Sequence, residues 1–175
     1  MVNEDLIKRL TEVIPKDSIG RYDLLPVFKD KRLFAEIVEH LSAPYIGKVD
    51  CVVAPEAIGW IVGSAIAREL NVGFMPLRKK GKLPYPKAAL LSRNYVDYSG
   101  QAKTLEIKTG SIAAGDRILI VDEWTETGRT LRCSMDLLKE LGCTVVGLAT
   151  IGINDGEGTR EWIDTGFIQY IGKDI

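Results

Sequence analysis

The sequence predicts an α/β domain, with a mostly parallel central sheet flanked by helices on both faces. Three observations carry this expectation. Short, almost wholly apolar runs recur along the chain (CVVA, VGFMPL, RILIVD, TVVGLATIG), as in strands buried on both faces. Between them lie segments with apolar residues at helical spacing, TLRCSMDLLKELG among them, and such alternation builds parallel sheets. A length of 175 residues, 46% apolar and 27% charged, suits one soluble domain spanning 1–175 with its own core.

The elements run in order along the chain. Residues 3 to 13 predict a short amphipathic helix, with Leu6, Leu10 and Val13 on one face. PKDSIGRYDLLPVFKD, at 15 to 30, reads as an irregular connection because of its Pro and Gly, so 1–30 forms an N-terminal segment. Helical spacing returns over 31 to 44 through Leu33, Phe34, Ile37, Val38 and Leu41. CVVA predicts a strand at 51 to 54 ended by Pro55, then a helix over 59 to 70 and a strand over 72 to 77. Residues 79 to 100 carry Lys79, Lys80, Lys82, Lys87 and Arg93 with two prolines and weak periodicity, which predicts a flexible basic loop. Strands are expected at 104 to 109, 117 to 122 and 144 to 152. The helix before the last of these has Leu131, Met135, Leu138 and Leu141 on one side and Gly142 as its cap. A closing strand and tail, DTGFIQYIGKDI, packs Phe167 and Tyr170 against the body.

Several function classes fall away. A net charge of -1 provides no global field for nucleic acid or an anionic membrane. The N-terminus MVNEDLIKRLTEVI has acids at once and lacks a signal-peptide core, and no window approaches a membrane span. A cytoplasmic protein is expected. Three widely spaced cysteines form no CxxC pair, and Cys51 and Cys143 adjoin valine runs as core fillers. A single histidine, His40, excludes a histidine-rich zinc site.

Ligands of parallel sheets collect beyond the C-terminal strand ends. Three such ends are unusual here: APEAIG, LRKKGKLP and DEWTETGRT. Asp122 and Glu123 come directly after four apolar residues, and adjacent carboxylates repel unless donors or a cation take up their oxygens. The loop after them, Thr125 to Thr130, has the makings of a phosphate cradle: a turn into a helix N-terminus, threonine hydroxyls and the planar fork of Arg129. Acids for sugar hydroxyls beside a loop for phosphate suggest a sugar phosphate. A plain strand-to-helix turn with solvated acids is the other reading.

An apolar run, two acids and then Thr-Gly-x-Thr resembles the ribose-phosphate signature of the type I phosphoribosyltransferases. RYDLLPVFKDKRLF, VAPEAIGWIVGSAIARELNVG, PLRKKGKLP and YVDYSGQAKTLEI resemble segments of the adenine phosphoribosyltransferases in particular, in the same order over residues 12–150. The resemblance implies that fold, with residues 79–100 as a hood over the site. It implies Mg²⁺-dependent transfer of the phosphoribosyl group from phosphoribosyl diphosphate to adenine, giving AMP and diphosphate, by a homodimer. Asp122 and Glu123 would hold the ribose hydroxyls, directly or through Mg²⁺. Residues 126–130, with Glu126, Thr127, Gly128, Arg129 and Thr130, would match the 5′-phosphate loop. Ala57, Ile58 and Gly59 would bring backbone to the diphosphate, Arg78, Lys79 and Lys82 would neutralise it, and Asp97 would lie over the base.

The chain also departs from that pattern. Glu56-Ala57-Ile58-Gly59 stands where adenine enzymes usually carry Asp-Ser-Arg-Gly, and Glu123 where the second acid is usually Asp. Glu126 and Arg129 are similar to features of the hypoxanthine-guanine enzymes, whose acid sits near N7 of the purine. Glu126 could equally pair with Arg129. Trp124 either stacks on the purine or plugs the core. A 6-oxopurine transferase is therefore the alternative, and a regulator that binds phosphoribosyl diphosphate without turnover a third reading. A regulator would be expected to bring a DNA-binding extension, for which 175 residues leave little room.

Overall fold

The computed structural model describes residues 4–15, 22–97 and 99–175. Helix α1 (Glu4–Val13) buries Leu6 and Leu10, as its spacing predicts. Residues 16–21 of the expected irregular connection lie outside the described residues. Its last part is a short helix, α2 (Leu25–Lys29), rather than a loop. Pro26 falls in the first turn of α2, where a missing N–H leaves no bond unmade. Asp30 then caps α3 (Lys31–Ser42), its carboxylate accepting from the N–H groups of Arg32 and Leu33 at 3.0 and 3.1 Å.

Strand β1 (Cys51–Pro55) continues through Pro55, opposite Leu77. Helix α4 (Gly59–Leu70) ends at Asn71 in the left-handed conformation, φ 55°. Then come β2 (Gly73–Lys79), β3 (Leu90–Val96), β4 (Ala102–Lys108) and β5 (Arg117–Thr125). Helix α5 (Arg129–Glu140), β6 (Thr144–Ile153), the short α6 (Arg160–Asp164) and β7 (Ile168–Lys173) complete the chain. The sheet has seven strands in the order β3-β4-β2-β1-β5-β6-β7. From β2 to β7 neighbours run parallel, while β4 is antiparallel to β2 and β3 to β4.

Residues of β5 show why its run is nearly all apolar. Leu119 and Val121 face a core under α1, α3 and α4, and Ile118 and Ile120 face a second one under α5 with Leu131, Leu137 and Leu138. All four strand residues are fully buried. Cysteines 51 and 143 sit only half-buried at the margin of the second core, whereas Cys133 is buried.

Two expectations are corrected. Residues 79–100 are not an irregular loop throughout, because β3 pairs with β4 over seven positions, Leu90↔Lys108 to Val96↔Ala102. Along β3 the inward row is Leu91, Arg93 and Tyr95, half-buried at a sheet edge. An arginine in that row hides the alternation, and it is tolerated because it reaches Glu140 on α5 at 2.9 Å. The second correction concerns β5, which runs three residues past 122 because β6 stays opposite it: Asp122↔Thr150, Trp124↔Gly152, Thr125↔Ile153. The acids are thus part of a paired strand. No described helix is long and apolar enough to cross a membrane.

Candidate active site

Strands β1 and β5 are neighbours at the middle of the sheet, and each leads into a helix. Neither helix has a side-chain cap: Ile58 stands before α4 and Gly128 before α5. The first-turn N–H groups of α5 are therefore open to a ligand, at the positive end of the helix dipole, whereas in α4 those of Trp60 and Ile61 turn back to Ala57 O and Ile58 O at 3.2 and 2.9 Å. Gly59 lets the two ends meet. A Cβ there would lie 2.9 Å from Asp122 Oδ1.

Asp122 is only 8% exposed, and its Oδ1 accepts from the Glu123 N–H at 3.0 Å. Burial first, and then the charge of Glu123, push the Asp122 carboxyl well above the usual carboxylate range. Such a pair is relieved by hydroxyl donors or a cation. Downstream, Gly128 adopts φ 71°, and a Cβ on it would meet Gly158 O and the Trp162 ring at 2.8 Å each. Only glycine fits the turn. The resulting cleft is lined by Tyr22, Leu24, Ile58 and residues 122–131, and holds about 190 Å³. Small-molecule sites usually exceed roughly 300 Å³, and this cleft is smaller.

Of the residues expected from sequence, Asp122, Glu123, Trp124, Thr125, Glu126, Thr127, Gly128, Arg129, Thr130 and Ile58 line this one cleft. Ala57 and Gly59 flank Ile58 at its rim. Glu126 is half-buried, which raises its carboxyl above the usual range, and it has no ion pair with Arg129. Thr125 Oγ1 is buried without a hydrogen-bond partner among the described residues. Trp124 is fixed rather than free: its Nε1 donates to Asn154 Oδ1 at 2.9 Å and its ring lies over Gly152. Tyr22 stacks on it, centroids 3.8 Å apart and planes 19° apart.

Asp97 is not brought to the cleft. Its Oδ1 accepts from the Ser99 N–H and hydroxyl and from the Gln101 N–H at 2.7 to 3.0 Å, closing the β3–β4 turn. The Ser99 hydroxyl first, and those N–H groups with it, hold its carboxyl below the usual range. An acid so placed is a turn residue. Arg78 is also less available than expected, since its Nε donates to Glu56 Oε2 at 3.1 Å and its guanidinium lies over Trp60. Lys79 at the end of β2 and Lys82 on the turn after it are exposed. Tyr22 and Leu24, which line the cleft, and Glu56 and Asn154, which hold Arg78 and Trp124, are residues that sequence reasoning misses. Only Tyr22 and Leu24 carry a signal, inside RYDLLPVF.

A buried Asp122 with the half-buried Glu123 beside it, between two uncapped helix ends over a parallel sheet with an antiparallel edge, is the arrangement expected of a sugar-phosphate transferase. Residues 27–170 match the phosphoribosyl transferase domain, and the chain belongs to that family. Its relatives narrow the class. The chain is 39% identical over 152 residues to the adenine phosphoribosyltransferase of Acidobacterium capsulatum, spanning 85% of this chain and 82% of the relative. It is 41% identical over 138 residues to that of Maricaulis maris, spanning 78% and 77%. The crystal structure of adenine phosphoribosyltransferase from Thermoanaerobacter pseudethanolicus superposes with a TM-score of 0.83 at 33% identity, over 95% of this chain and 99% of that one.

Proposed function

We propose that this chain is an adenine phosphoribosyltransferase, which transfers the phosphoribosyl group from phosphoribosyl diphosphate to adenine and releases diphosphate. The observation that carries the reading is the meeting of Asp122 with the uncapped start of α4 at Gly59, beside the uncapped start of α5. Cleavage at the anomeric carbon leaves positive charge on the ribose and negative charge on the departing diphosphate. Asp122 and Glu123 orient the ribose through its hydroxyls, the α5 turn from Glu126 to Thr130 holds the 5′-phosphate, and the turn at Ala57 to Gly59 receives the diphosphate. Choice of adenine rests on the relatives' names and on the segments that resemble them.

The donor set also suits Mg²⁺. Two adjacent hard-oxygen ligands, of which Asp122 is strained by its partner, match an ion that takes one or two carboxylates and completes its shell with substrate oxygens and water. Asp122 and Glu123 would hold it, and it would offset the diphosphate charge. A homodimer in the cytoplasm belongs to the same reading, and light scattering would check the dimer.

A 6-oxopurine is the second reading, favoured by Glu126, a half-buried acid in the cleft with no ion-pair partner among the described residues. Incubation with phosphoribosyl diphosphate, Mg²⁺ and adenine, hypoxanthine, guanine or xanthine separately decides between them. AMP is expected from adenine. Product from an oxopurine alone would replace the first reading by the second, because a site built for one hydrogen-bond pattern rejects the other steeply.

A further inference from the structure

We infer that Glu56 and Glu106 are positioning residues that clamp the cationic turn at 78–82 by its backbone and so aim its ammonium groups at the diphosphate. The inference rests on the reading of the Ala57–Gly59 turn as the diphosphate site. Three consecutive N–H groups of the turn are pinned from three directions. Lys79 N–H donates to Glu56 Oε2 at 2.9 Å, Lys80 N–H to Thr104 O at 3.2 Å, and Gly81 N–H to Glu106 Oε2 at 2.8 Å. Gly81 takes φ 77° to make the bend.

Glu106 is the less expected of the two acids. It is 5% exposed, sits on β4 opposite both Arg78 and Ser92, and has no cation partner among the described residues. Its other oxygen accepts from Ser92 Oγ at 3.3 Å. Burying a carboxylate is costly unless its oxygens are bonded, and here both are used to fix the turn against β3. Glu56 does the same from the other side. Burial pushes its carboxyl up, but the Lys79 N–H and Arg78 outweigh this and hold it below the usual range. Because Arg78 is spent on Glu56 and on the Trp60 ring, whose Nε1 is itself held by Ala54 O at 3.1 Å, the diphosphate turn and the basic turn become one rigid unit.

The arrangement leaves Lys79, Lys80 and Lys82 exposed and without an ion pair among the described residues. Charges that repel one another need a fixed backbone to stay convergent, and a donor misplaced by an ångström loses most of its effect on a developing anion. The two acids provide that fixation without neutralising the ammonium groups themselves.

Calorimetry with inorganic diphosphate tests this on the wild type and on Glu106→Leu, Glu106→Gln and Glu56→Gln, alongside KM for adenine and thermal melts. Loss of a hydrogen bond to a charged group predicts diphosphate affinity about tenfold weaker in Glu106→Leu. Glu106→Gln and Glu56→Gln each keep an acceptor, for the Gly81 and Lys79 N–H groups, and should lose only about threefold. The KM for adenine should not move. If Glu106→Leu fails to fold, the two glutamine variants carry the test. Unchanged diphosphate affinity in folded variants overturns the clamp, as does an equal loss for adenine, which would mark general damage. A wild type that binds adenine but not diphosphate overturns the site reading and the clamp together.

Discussion

Gly59 and Asp122 meet across the two central strands, with no room between them for a methyl group. A Cβ on Gly59 would come within 2.9 Å of Asp122 Oδ1 and 3.4 Å of Val121 O. The backbone at 3.4 Å is in ordinary contact, so relief requires the buried Asp122 carboxylate to turn aside or α4 to move. Gly59→Ala should cost about 1–3 kcal/mol, as overpacking does. It should also weaken phosphoribosyl diphosphate binding by at least about tenfold, since the acid and the helix end are displaced together. Titration calorimetry beside a melt separates the effects, and a variant that is destabilised yet binds normally would refute the shared site.

Asp122→Asn should separate stability from function. The folded carboxyl holds its proton to higher pH than the unfolded chain does. Its contribution to stability is therefore whole below the ordinary carboxylate pKa and is lost as pH rises through the folded value. Asparagine keeps the volume and removes the repulsion from Glu123. In metal-free buffer at neutral pH, Asp122→Asn should melt higher than the wild type and bind phosphoribosyl diphosphate far more weakly. Parallel melting curves from pH 4 to about pH 8 would show that the pair carries no strain.

The sequence made the centre of the sheet legible and its edges much less so. Runs such as ILIV are apolar because β5 is buried on both faces, and that pattern has few alternatives. The cleft was legible too, because Asp122 to Thr130 is continuous in sequence and needs only one strand end to place it. β3 was hidden because an edge strand half-buried on one side can carry Arg93 in its inward row. Asp97 misled because an acid that closes a turn through three donors looks, in sequence, like an acid kept for a ligand. Glu56 and Glu106 act through backbone N–H groups far away in sequence, at 79 and 81, and no spacing reports that.

Glu126 lines the cleft without a partner among the described residues, and burial raises its carboxyl. An acid so poised can hydrogen-bond a purine ring nitrogen as the glycosidic bond changes. Glu126→Gln should lower kcat by about tenfold to 100-fold, while KM for phosphoribosyl diphosphate stays near the wild-type value. The kcat of the wild type should fall as the pH passes below the raised carboxyl pKa, and that limb should be missing in the variant. Equal kcat in the two proteins would leave Glu126 as a loop residue only.

Gly128 tests the phosphate turn itself, and Gly110 is its control. Both have positive φ, 71° and 73°, so alanine at either pays a left-handed penalty of about 1–2 kcal/mol. They differ in surroundings. A Cβ on Gly110 meets nothing within 4 Å, whereas one on Gly128 meets Gly158 O and Trp162 at 2.8 Å. Trp162 cannot retreat easily, since it is 4% exposed and carries Arg132 over its ring, with Arg132 also donating to Gly158 O at 2.9 Å. Gly128→Ala should therefore be destabilised by more than Gly110→Ala, by about 1–3 kcal/mol of overpacking. It alone should lose affinity for ribose 5-phosphate, because the α5 N–H groups no longer converge on the phosphate. Melts and ribose 5-phosphate titrations of both variants give the comparison. Equal destabilisation with ribose 5-phosphate affinity intact in both would mean that the turn before α5 does not hold the phosphate.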